Sequence, residues 1–428
     1  MKYELTSGRN FNRTVVVIDE VDIFACAYNE NVKKIKFTDE IAPKGATVPG
    51  FSDSIIDLSK DKDGSIVGWI EDDGVYKVST QTKGQKIIFN ENCDYMFEDC
   101  TKLKGIDFNF IDTSKVESMS SMFRNCLCLK ELDLSSFDTS KVKDMSWMFS
   151  GCENLQELDL SQLDTSKVEY MSHMFRGCKN ITQLDLSSFD TSKVADMQEM
   201  FTFCDKLKQL DLSDFNTSKV EDMSSMFAWC RNLTELDLST FDTSKVENMA
   251  GILGGCENLE ELDLSSFDTS KVSSVAWMFD GCRNLKELDL SSFDTSKVER
   301  MSRMFSECIN LERLDLSGFN TSKVKDMSEM FSCCKNLKEL DLSSFDTSHV
   351  DMIYNMFDNT YNLLKERLNT SDRYILSEFK KEQAPKKEKL LASENINPKN
   401  LKLKDSKTKE GKENSFHSLN DSDNDIPF

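Results

Sequence analysis

An excess of positive charge and long apolar runs are absent from this sequence and histidine is scarce, and each shortage closes off a class of function. Its 428 residues include 53 Lys and Arg against 75 Asp and Glu, a formal charge of -22. Phosphate is held chiefly by clustered Lys and Arg, so the body of the chain is not expected to bind nucleic acid directly. Bound cations, a basic partner or plain solubility suits that charge better. The three histidines, His173, His349 and His417, sit in unlike contexts, and no P-loop, GxSxG or Cys–His pair accompanies them. The expectation is a non-enzymatic protein with no cofactor. Nothing approaches the run of about 20 apolar residues that spans a bilayer. Near the start, Thr14–Ile18 are followed at once by Asp19, Glu20 and Asp22, which interrupt the h-region a secretory signal needs; Ile23–Cys26 only faintly resembles a lipoprotein box. On this ground the expected location is cytoplasmic.

Cysteine is plentiful, at fourteen residues, but CxxC pairs with a second half-site are missing, which argues against zinc or redox chemistry. Ten of the fourteen form one column, Cys100 to Cys334 in steps of 26. Unpaired thiols in such a column read as small buried hydrophobes at the end of each unit. Their number also favours a reducing compartment.

That step is the period of the whole centre of the chain. The pattern LDLSSFDTSKVKDMSWMFSGCENLQE starts at Leu132 and again every 26 residues to Leu340, after a divergent copy at Ile106, giving ten units. Leu132 and Leu134 flank Asp133 as on a strand, while Met145, Met148, Phe149 and Cys152 are spaced for one face of a short helix. One unit cannot bury its own apolar face, so stacking is required. The predicted fold is a leucine-rich-repeat solenoid with a short parallel strand and a short helix in each 26-residue repeat. Ten strands at about 4.8 Å would make a curved sheet of about 45 to 50 Å.

LxxLDLSxFDTSKVxxMSxMFxGCxNL, over about Gly64 to Leu363, resembles the BspA-like leucine-rich repeat proteins, a group common in mycoplasmas and gut bacteria. The resemblance implies a binding or adhesion protein displayed on the cell surface, with a protein or glycan ligand on the solenoid. Location therefore rests between the cell surface, by resemblance, and the cytoplasm, by the missing signal.

Two sets of columns are candidates for that ligand. The middle residue of LDL is acidic in every unit, among them Asp133, Asp159, Asp185, Asp211, Asp237, Asp263, Asp289 and Asp315. On a strand with inward leucines these carboxylates point outward in a row, either accepting local hydrogen bonds or forming an acidic docking strip. They do not make a calcium roll, because its paired glycines are absent. The position of Asp138, which becomes Asn216 and Asn320, reads with Thr139 and Ser140 as a turn or cap. Specificity is expected where repeats differ. The column through Ser121, Trp147, His173, Glu199, Trp277 and Arg303 changes freely, and Phe203 and Trp229 replace the usual Gly before the cysteine. Trp147, Phe203, Trp229 and Trp277 are therefore candidate interface anchors, against a plainer reading as variable surface or repeat-edge packing.

The ends complete the division. Residues 1–92 carry short alternating runs and are expected to form a small strand-containing cap; 93–365 are the repeats; 366–384 a helical cap; and 385–428 a Lys-rich linker, expected to be disordered, ending in DSDNDIPF. The last residues, Asp425, Ile426, Pro427 and Phe428, resemble the C-terminal tip of bacterial single-stranded DNA-binding proteins. That resemblance implies docking into an apolar, basic-rimmed pocket of a replication or repair enzyme, with Asp421 and Asp423 adding charge.

Overall fold

The computed structural model describes residues 4–5, 32–44, 56–57, 66–71 and 73–382. Strands β1 (Glu4–Leu5), β2 (Lys34–Thr38), β3 (Ile56–Asp57), β4 (Val67–Ile70), β5 (Val75–Ser79), β6 (Ile87–Phe89), β7 (Gly105–Asp107) and β8 (Ile111–Asp112) make two sheets. One has the order β3-β4-β5-β2-β7 and the other β1-β6-β8. Strand β7 belongs to the first repeat, and β2 pairs with it in parallel, Ile35 against Ile106. The cap therefore supplies a rung in repeat register and covers an edge that would otherwise be open. Phe37 anchors it, stacked on Phe108 at 5.6 Å and set edge-on to Phe89 at 5.5 Å.

From there the chain is a solenoid-like stack. Parallel bridges link Asn92, Ser118, Asp144 and each residue 26 further on as far as Met352. Within the stack the apolar columns are buried, and Phe123, Phe149, Phe175, Phe201 and Phe227 stack face to face at 5.7 to 5.8 Å. Burying each such ring stabilises the stack by about 1.5–3 kcal/mol. Leu253 interrupts the series, which resumes from Phe279 to Phe305 at 5.7 Å.

The expected short helix is not there. Over Met145–Cys152 the N–H groups of alternate residues reach the next repeat, Trp147 to the Ser172 carbonyl and Phe149 to the Met174 carbonyl, both at 2.9 Å. Those between close three-residue turns, such as Ser150 N–H to the Trp147 carbonyl at 3.0 Å. Trp147 (φ 61°) and Gly151 (φ 72°) are left-handed, a conformation no α-helix contains. The physical reason is satisfaction of the backbone. A two-turn helix leaves four N–H and four C=O groups unpaired, whereas the turn ladder hands half of its donors to the neighbouring repeat. All of those donors point toward the C-terminal end of the stack.

The continuous sheet is also reduced. Beyond the cap, strand pairing among the described residues is confined to Glu131–Leu132 with Glu157–Leu158, and to Arg313–Asp315, Glu339–Asp341 and the following Leu368–Asn369. Asp133 Oδ1 accepts the Ser135 N–H at 2.9 Å, an Asx turn that ends the strand and recurs at Asp159 and Asp185. A side-chain ladder compensates. The Thr191 hydroxyl donates to the Asn216 carbonyl at 3.1 Å and accepts the Asn216 N–H at 2.8 Å, and equivalent threonines do the same between other repeats.

At the C-terminal end, a helix over residues 373–382 lies on the last repeat. Phe379 meets Phe357 edge-on at 5.3 Å. Two carboxylates stand in for the repeat that does not follow. Asp372 accepts the Thr347 hydroxyl at 2.8 Å, and Glu382 Oε2 accepts the Phe357 N–H at 2.7 Å.

Candidate interaction surface

Each turn ladder carries two left-handed positions, and both are columns in which the repeats differ. One runs from Ser121 through Trp147, His173, Glu199, Ser225, Gly251, Trp277 and Arg303; the other, four residues on, includes Asn125, Gly151, Phe203, Trp229 and Gly255. A left-handed non-glycine residue costs about 1–2 kcal/mol, so bulky side chains there are held against a backbone preference for Gly. At Gly255 glycine is required: a Cβ would come within 2.6 Å of the Trp229 ring, which leans over it.

The side chains of these columns interlock along the stack. Trp147 lies face to face with His173 at 3.7 Å, and the Arg124 guanidinium covers Trp147 at 4.9 Å. Glu199 then gathers His173 Nε2 at 3.4 Å and Arg176 Nε at 2.6 Å. Arg176 covers Phe203 at 5.6 Å, Phe203 stacks on Trp229 at 6.2 Å, and Arg231 covers Trp229 at 5.3 Å. Further along, Arg303 covers Trp277 at 4.4 Å while binding Asp280 and Glu329. Beside them Asp205, Arg231, Glu257, Arg283 and Glu307 alternate in sign as a chain of ion pairs.

The electrostatics follow from this arrangement. Burial raises the Glu199 carboxyl, but hydrogen bonding and charge from His173 and Arg176 outweigh it, and the net shift is downward. Asp280 goes the other way: burial pushes it up to about 6, Arg303 and Ser306 only partly opposing. Trp147, Phe203, Trp229 and Trp277 are all half-buried, so each offers an edge to solvent from a fixed position.

Thus the four aromatic candidates lie in two adjacent turn-ladder columns, covered by residues the sequence reading passed over, Arg124, Arg176 and Arg231, with Arg283 in the ion-pair chain beside them. Their signal was present only as charge at positions three and six residues after the Trp147 column, which means nothing until a neighbour one repeat away is in view.

The acidic column is placed differently. Asp133, Asp159, Asp185, Asp211, Asp237, Asp263, Asp289 and Asp315 are exposed, and each accepts the N–H of the serine two residues on. Those serine hydrogen bonds hold Asp133 to Asp289 below the usual carboxylate range. Over the last repeats this side forms an open groove lined by Glu287, Asp289, Glu312, Arg313, Asp315 and Asp341 among others.

The cysteine column is buried, and Cys152 Sγ donates to the Phe123 carbonyl at 3.1 Å. Desolvation pushes the Cys152 thiol up to about 12, which makes it a poor nucleophile. Among the described residues no group of three or more His, Cys, Asp or Glu could hold a metal, and no helix is long and apolar enough to cross a membrane. Asp421, Asp423, Asp425, Ile426, Pro427 and Phe428 lie outside the described residues.

Against known proteins, the profile of a family described as a mycoplasma protein of unknown function, DUF285, matches residues 91–210, 203–290 and 276–381. A crystal structure of a leucine-rich repeat protein from Eubacterium ventriosum is 15% identical, with a TM-score of 0.35 over 72% of this chain and 82% of that one. The crystal structure of a TLR13–ssRNA13 complex is 20% identical, with a TM-score of 0.22 over 66% of this chain and 46% of that one. No curated protein matches the sequence.

Proposed function

The chain belongs to the DUF285 family, and from that premise we propose that it is a non-enzymatic binding protein that holds a protein partner on the two left-handed columns of its repeat stack. One observation carries the reading: repeats that keep the same core residues diverge at the two left-handed columns, and fill them with Trp, Phe, Arg, His and Glu. Trp and Arg are the residues that most often anchor interfaces, and half-buried rings clamped by guanidinium groups lose little entropy on binding. The resemblance to BspA-like proteins favours a partner met at the cell surface, in which case the protein is an adhesin, with a glycan as the alternative ligand.

The test replaces Trp147, Phe203, Trp229 and Trp277 together by Asn, which already occupies these left-handed columns at Asn125, Asn355 and Asn359. The expected result is that a protein captured from the source cell by the full chain is lost from the variant, both chains remaining folded. Capture undiminished by the change would sink the reading.

A second reading rests on the terminal Asp425, Ile426, Pro427 and Phe428: an adaptor inside the cell that docks to replication or repair enzymes through this tip. It predicts that deleting Ile426 to Phe428 alone removes such enzymes from the capture.

A further inference from the structure

The groove on the strand side of the last repeats is a separate feature from the aromatic columns, and its charge is one-sided. Nine of its lining residues are acidic and three are basic. All three bases are already engaged, Lys286 with Glu260 at 3.3 Å, and Arg313 and Arg367 with Glu339 at 3.4 and 2.6 Å. Glu287, Asp289 and Asp315 are exposed and face no cation among the described residues. The groove spans the rungs from Leu262 to Leu340 and on to Asn369, about 19 Å at the usual strand spacing.

The chain itself contains a segment of the opposite sign. Residues 399–412, KNLKLKDSKTKEGK, hold six Lys against Asp405 and Glu410. In an extended conformation Lys402 and Lys404 fall on one side, Leu401 and Leu403 on the other. Six extended residues cover the groove at about 3.3 Å each. Sixteen residues lie between Glu382, where the described chain ends, and Lys399, and that stretch reaches up to about 55–60 Å, ample to turn the edge of the stack. Attachment to the same chain gives the segment an effective concentration of about millimolar, which favours it over a free basic partner of equal chemistry.

We propose that residues 399–412 occupy the acidic groove over repeats 262–369 of the same molecule. The occupant is the chain's own lysine-rich segment; a second copy and an outside basic protein are the competing assignments. This inference does not depend on the partner placed on the aromatic columns.

The test uses the full chain, mixed in equal amounts with an isotopically heavy copy and treated with a carbodiimide that joins amines to carboxylates in direct contact. The expected result is links from Lys402, Lys404, Lys407 or Lys409 to Glu287, Asp289, Glu312 or Asp315 within one isotopic species, lost when the four lysines become Glu. The same four-fold variant should bind a free peptide of residues 399–412 at least tenfold more tightly than the unaltered chain does. Links only between light and heavy copies would replace the proposal with a self-association surface. Links spread evenly along Asp133, Asp159 and Asp185, or equal peptide binding by both chains, would overturn it.

Discussion

Thr191 shows how much of the stack is held by single side chains. Its hydroxyl both gives and takes a hydrogen bond with the Asn216 backbone, in a place where a sheet would use two peptide groups. Thr191→Val keeps the shape and removes both bonds, leaving a carbonyl and an N–H unpaired in a partly buried setting. The expected loss is about 2–3 kcal/mol, read from denaturant unfolding, and a loss under about 0.5 kcal/mol would contradict the role given to this ladder. Thiol chemistry gives a second check at this scale. Cys128 and Cys333 are half-buried while Cys100, Cys152, Cys204 and the rest of their column are fully enclosed. Among the described cysteines, an alkylating reagent should therefore label Cys128 and Cys333 first and the column only on unfolding, as peptide mass spectrometry would reveal.

The turn ladder is the element the sequence concealed. Met145, Met148, Phe149 and Cys152 have the three-and-four spacing of a helix face, and successive three-residue turns bring the same positions inward. The two differ in the sign of φ at two positions per repeat and in where the N–H groups go, and Gly151, Gly177, Gly251, Gly255 and Gly281 were the trace of it in the sequence. By contrast the 26-residue stacking was plain, because every bridge from Asn92 to Met352 repeats one spacing that ten copies spell out. The N-terminal cap has no second copy to compare, so its order β3-β4-β5-β2-β7 could not be read. Of the candidate surface, the variable aromatics were visible as variation; the arginines that clamp them were not, since their partners lie a whole repeat away.

The C-terminal helix gives this scale its pH dependence. Burial pushes Glu382 from 4.5 up to about 7, with Glu378 and Asp358 adding to the rise and the Phe357 N–H and Lys381 opposing it. A carboxyl with a raised folded-state value binds its proton more tightly when docked, so its stabilising contribution is complete below about pH 4.5 and fades as pH climbs through about 7. Hydrogen exchange across residues 373–382, corrected for intrinsic rate, should show a looser cap at pH 8 than at pH 5. Glu382→Gln, which keeps an acceptor for Phe357 without the charge, should flatten that dependence; an unchanged slope would mean another group controls docking.

At the scale of the whole molecule, stability is a sum of repeats and the interfaces between neighbours. Deleting residues 262–287 removes one 26-residue period and rejoins Glu261 to Leu288 in register, so the shortened chain should still unfold cooperatively, a few degrees lower. Deleting half a period should abolish folding of the stack beyond the cut. If both deletions behave alike, the repeats are not the unit of folding. The same modularity frees the left-handed columns to vary: core positions answer to the repeats on either side, while outward positions answer to whatever they touch.

That division between inner and outer columns is the central claim, and one titration tests it most directly. Calorimetry would compare the captured partner's affinity for two four-fold variants, one with Trp147, Phe203, Trp229 and Trp277 changed to Asn, the other with Asp133, Asp159, Asp185 and Asp211 changed to Asn. The account predicts a loss of about 100-fold or more for the first, the scale of hot-spot removal, and a change within about threefold for the second. The reverse order, with the aromatic variant binding as tightly as the unaltered chain and the Asp variant failing, would move the function to the strand face and contradict it.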